Sequence, residues 1–126
     1  MRIPIAVALG GAFGALARYL MVDWFELWLG AGFPYGTLAA NVMGSFLMGV
    51  LIDVMALVWS PSPELRALLT VGLLGSFTTF SALSLETLLL FEGGSPGQAA
   101  LYALASVLLS LIAIFAGMRL ARAALS

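Results

Sequence analysis

The stretch Gly72–Glu86, "GLLGSFTTFSALSLE", decides how the chain is read. Its flanks are apolar enough for a membrane span, yet five of the ten residues from 75 to 84 carry hydroxyls: Ser76, Thr78, Thr79, Ser81 and Ser84. Gly72 and Gly75 beside this cluster weaken a helix at mid-span and predict a break. A break frees carbonyls, and unsatisfied backbone groups in hydrocarbon cost several kcal/mol each. A neighbouring helix, water or a bound cation must meet them. Hard cations such as Na⁺ suit carbonyl oxygen, and unwound membrane helices hold Na⁺ this way. Phe77 and Phe80 flank the hydroxyls, and the positive edge of an aromatic ring helps stabilise an anion.

Working outward, the rest of the chain is built for the bilayer. Of 126 residues, 63% are hydrophobic and 9% charged, against about 45–50% and roughly 25% in soluble domains. Apolar segments at about 4–29, 35–58, 64–91 and 98–120 are separated by "GAGFP" (30–34), "SPSP" (60–63) and "EGGSPG" (92–97). Each meets the roughly 20 residues that cross about 30 Å of hydrocarbon. Trp24, Trp28 and Trp59 fall near span ends, where interfacial anchors belong. The expectation is an all-α, single-domain membrane protein of four spans, the third broken. The first apolar run continues past Arg18 and is kept as a span rather than a signal peptide.

Charge and composition exclude other classes. There is no basic patch for nucleic acid, and neither His nor Cys is present. A His-dependent triad or thiol site cannot be built, so an enzyme is not expected. Four spans put both termini and the middle turn on one side, with Arg2, Arg66, Arg119 and Arg122. The two opposite turns have no Lys or Arg, which favours a cytoplasmic N-terminus. Four helices enclose little aqueous space, so a pathway needs more than one chain. The small-residue notches Gly10/Gly14 and Ala40/Gly44 suit either an oligomer or packing within the chain.

Polar residues inside the spans form stripes. Thr37, Asn41 and Ser45 share one helix face, as do Tyr102, Ser106 and Ser110. The Asn41 amide offers donors to an anion or to another helix, and the serines offer theirs to an ion or to a carbonyl one turn back. Arg18, costing about 2.5–3.5 kcal/mol at a helix centre, either snorkels to the interface or faces a wet entrance. Glu86 reads as the only acid well inside an apolar run. Donors outnumber fixed negative charges, which points to an anion path.

At these residues the sequence closely resembles the Fluc (CrcB-type) fluoride channels, over essentially its whole length. An Arg in the first span, "GTLAANVMGSFLMG" (36–49), "GLLGSFTTFSALSLE" and the Tyr/Ser/Ser ladder carry the likeness. The resemblance implies passive, electrogenic fluoride export across the inner (plasma) membrane by an antiparallel, dual-topology dimer with two pores. The partner is a second copy or an oppositely oriented paralogue. It implies a central structural sodium ion on the Gly75 and Thr78 carbonyls. Asn41, Phe80, Ser81, Tyr102, Ser106 and Ser110 become pore residues, and Arg18 and Glu86 shape the entrance and its electrostatics. One family feature is missing: Leu83 stands where a second Phe is usual. The alternatives are a proton-coupled small multidrug exporter, which wants an acid where the first span has Arg18, and a non-transporting subunit of a membrane assembly.

Overall fold

Turn chemistry fixes where the helices begin and end. The computed structural model describes residues 1–125. Helix α1 (Arg2–Leu29) stops at Gly30, whose φ of 79° lies in the left-handed region that favours glycine. After the "GAGFP" turn, α2 (Tyr35–Leu57) crosses back. The third span opens with α3 (Pro63–Ala67), capped by Ser62, whose hydroxyl accepts from the Leu65 N–H at 3.2 Å. Pro63 in the first turn and Glu64 at the positive helix end complete that start.

Beyond α3 the ladder loosens. Leu68–Leu74 is π-helical, and the Gly75 N–H reaches the Thr70 carbonyl five residues back. Near its start the Thr70 hydroxyl donates to the Arg66 carbonyl at 2.7 Å, a local competition that bends helices. A single turn, α4 (Gly75–Phe77), ends at Thr78, whose φ of −90° and ψ of 155° are extended. The chain resumes as α5 (Ser81–Glu92), turns through Gly94 (φ 88°), and closes with α6 (Pro96–Leu125). The expected break is present, preceded by a π segment that the sequence did not announce. Counting Pro63–Glu92 as one span, four helices among the described residues are long and apolar enough to cross a membrane.

Alternate spans run parallel and pack in pairs. α1 lies along α3, the π segment and α4, where a Cβ on Gly10 or Gly14 would strike the backbone of Leu68 or Leu73. α2 and α6 form the most extensive pair, with Gly49 against the Ile114 carbonyl and Gly117 against that of Phe46. Close backbone approach through small residues suits lipid, where helices gain little from hiding apolar surface. Both small-residue notches are used inside the chain: Ala40 is fully buried, and Gly44 faces Phe77 and Thr78.

Candidate functional site

Asn41 staples the break. Its Oδ1 accepts from the Thr79 N–H at 2.7 Å, and its Nδ2 donates to the Thr79 carbonyl at 3.1 Å. Those two backbone partners fix which way the amide points and leave one Nδ2 hydrogen over. The Thr79 hydroxyl accepts from the Ala82 N–H at 3.2 Å, capping α5, and lies 3.3 Å from the Ser81 hydroxyl. Thr78 and Ser84 each donate to the carbonyl four residues back, at 3.1 and 3.0 Å. From α1, Arg18 Nε donates to the Ser76 carbonyl at 3.3 Å instead of reaching for the interface. Much of the polarity crowded into residues 75–84 therefore satisfies the chain's own interrupted backbone.

Two carbonyls stand apart from this repair. A continuous helix would give the Thr79 N–H to the Gly75 carbonyl, but that N–H is turned to Asn41. Thr78 is extended, so its carbonyl leaves the helical ladder. Gly75 and Thr78 line the same cavity. Among the described residues no three His, Cys, Asp or Glu side chains converge to hold a metal ion. The oxygens this site offers a cation are hard backbone carbonyls, a donor set that fits Na⁺.

The cavity, of about 410 Å³, lies between α2, the break and α6, and brings together Asn41, Ser45, Gly75, Thr78, Phe80, Leu83, Ser106 and Ser110. Because α2 and α6 run parallel, the stripes Thr37–Asn41–Ser45 and Tyr102–Ser106–Ser110 stay level with one another. Ser106 is the telling member: it is 2% exposed, and its hydroxyl has no hydrogen-bond partner, not even the carbonyl one turn back. Phe80 stands at the rim, 76% exposed in the single chain, while Leu83 forms buried wall.

The other nominated residues, Tyr102, Ser81, Glu86 and Arg18, do not line this cavity. Tyr102 is fully buried at one end of the seam, its hydroxyl 3.5 Å from Glu86 Oε1, with Thr37 within reach of both. Phe33 meets the Tyr102 ring edge-on, with centroids 5.4 Å apart. Beyond Glu86 a second cavity of about 370 Å³ opens toward Glu26. Ser81 is exposed beside the rim. One expectation is corrected. Glu86 is not the only acid inside a span, because Asp53, toward the end of α2, is 3% exposed and pairs with Arg122 of α6 at 3.3 Å. Asp53 ends the charge-free run of the second segment. Its position inside that segment's own limits was the available signal.

Comparison with known proteins follows the same outline. The family model "CrcB-like protein, Camphor Resistance (CrcB)" matches residues 5–118. A Rhodospirillum centenum protein named fluoride-specific ion channel FluC is 52% identical over 126 residues, covering 100% of both chains. A protein of that name from Agrobacterium fabrum is 48% identical over 92% of this chain and 93% of its own. One from Thermus thermophilus is 51% identical over 92% of this chain and 91% of its own. By sequence, over residues 5–118 matched by the family model and the full length of a 52% identical relative, the chain belongs to the CrcB-like family.

Proposed function

We propose that this chain is a passive, fluoride-selective channel of the cell membrane, working as an antiparallel dimer with two narrow pores and a structural sodium ion on the dimer axis. The observation that carries the channel reading is the level pair of polar stripes around a cavity in which the Ser106 hydroxyl is buried without a partner. A buried hydroxyl left unpaired costs about 1–3 kcal/mol, so its retention argues for a ligand that uses it. Fluoride is small and strongly hydrated, and a path for it must exchange water for donors. Ser106, Ser110, the remaining Asn41 hydrogen and the Phe80 edge supply them with no side-chain carboxylate on the cavity wall. The fluoride-specific relatives support the choice of anion.

The dimer reading rests on a face that a lone chain leaves uncovered. Gly75, Phe80, Ser81 and Ser84 are exposed at the middle of a membrane span, where polar backbone against lipid is costly. A second, inverted copy presenting the same face would cover it. The carbonyls of Gly75 and Thr78 from both copies would then hold sodium, whose charge would satisfy the oxygens freed by the break. Efflux from liposomes containing only this protein, followed with a fluoride electrode and in parallel for chloride, tests the function. Valinomycin-dependent fluoride release without chloride release is expected. Release of both halides, of neither, or only under a proton gradient would overturn the reading.

A further inference from the structure

We propose that Asp53 and Arg122 are a positioning pair that sets the sliding register of α2 against α6, and with it the pairing of the two polar stripes along the ion path. The stripes face each other only at one axial offset of the two helices. A slip of one residue moves a side chain by about 1.5 Å and turns it by about 100°, which would carry Ser106 away from Asn41. Along the rest of the α2–α6 seam the helices meet, among the described residues, without a charged pair to select one height. Gly49 lies against the Ile114 carbonyl and Gly117 against that of Phe46, and such van der Waals contact is individually weak and carries no charge.

Asp53 differs from these neighbours. Its side chain is 4% exposed, and its Oδ2 has the Arg122 guanidinium at 3.3 Å and no hydrogen bond. A carboxylate so placed needs a cation at one fixed height on α6. Arg119, one turn away, lies instead over Phe115, 5.0 Å from its ring centroid. The pair sits at the end of the seam opposite Tyr102 and Glu86, so the stripes are held from both ends.

Single-channel recording in planar bilayers separates positioning from folding, because unitary current reports the path and the number of active channels reports the folded fraction. Asp53→Asn keeps the shape and buries no unpaired charge. It is expected to lower unitary fluoride current about threefold or more. Arg122→Gln should do the same with fewer channels, since it strands the Asp53 carboxylate, while Arg122→Lys should restore most of the current. An unchanged unitary current in Asp53→Asn, or equal currents in the Lys and Gln variants, would overturn the pair's role. The inference rests on the fluoride-channel reading. A parent chain without fluoride current overturns that reading and this one together, whereas a conducting parent beside an unaltered Asp53→Asn overturns the register role alone.

Discussion

Ser106 and Asn41 face one cavity, yet removing each should do opposite things to the fold. The Ser106 hydroxyl is buried with nothing to bond, so Ser106→Ala deletes an unsatisfied group and should leave thermal stability unchanged or higher. Its fluoride efflux should fall, because a donor on the path is gone. Asn41→Ala removes two bonds to Thr79 and leaves a backbone N–H and carbonyl unpaired at mid-membrane. At about 1–3 kcal/mol for each buried group left unpaired, it should lower the melting temperature and the yield of folded protein before flux can be compared. Melting curves in detergent beside liposome efflux check both. A Ser106→Ala variant that melts early while conducting normally would mean that the hydroxyl serves packing, not the ion. The amide illustrates what single residues hide. Its type and depth pointed to a donor for an anion, and the structure shows a backbone staple with one hydrogen to spare.

At the scale of elements, the seam between α1 and the π segment depends on the absence of side chains. Gly14 lies against the Leu73 carbonyl, and Arg18, one turn on, reaches the Ser76 carbonyl. Gly14→Ala should push the helices apart, weaken the Arg18 bond and lower the melting temperature. Gly97→Ala, with nothing within 4 Å of the added methyl, should be neutral or stabilising by up to about 1 kcal/mol from helix propensity. If the two variants melt alike, close packing at Gly14 is not what holds the third span. Much at this scale was legible in advance. Gly and Pro clusters marked the turns, apolar runs marked the spans, and glycines among hydroxyls marked the break. The π segment was not, because "LLTVGLL" (68–74) has the composition of an ordinary helix, and the glycines it packs against, Gly10 and Gly14, lie on another span. The Asp53–Arg122 pair was hidden for a related reason. Each residue lies toward the end of its own span and reads as interfacial until α2 and α6 are laid side by side.

Across the whole molecule two demands conflict over orientation. Arg2, Arg66, Arg119 and Arg122 all lie at the end that carries the chain termini, and the other end has Asp23, Glu26 and Glu92 with no Lys or Arg. That bias favours a single insertion direction. The exposed face around Gly75 and Ser81 calls for an inverted copy. Magnitudes decide between them: a basic residue beside an anionic leaflet contributes about 1 kcal/mol, whereas freed carbonyls facing lipid cost several kcal/mol each. A homodimer buries such carbonyls from both copies, so both orientations should coexist. The chain has no cysteine, which makes the measurement direct. Ala31→Cys in the turn after α1 and Ser60→Cys in the turn after α2 lie on opposite sides of the membrane and are exposed. In intact cells, a membrane-impermeant maleimide should label each variant partially, and permeabilisation should raise both to completion. Full labelling of Ala31→Cys with none of Ser60→Cys would show one fixed orientation. The inverted partner would then have to be a different chain carrying the opposite arginine bias, and the exposed face of α5 would be half of a heterodimer.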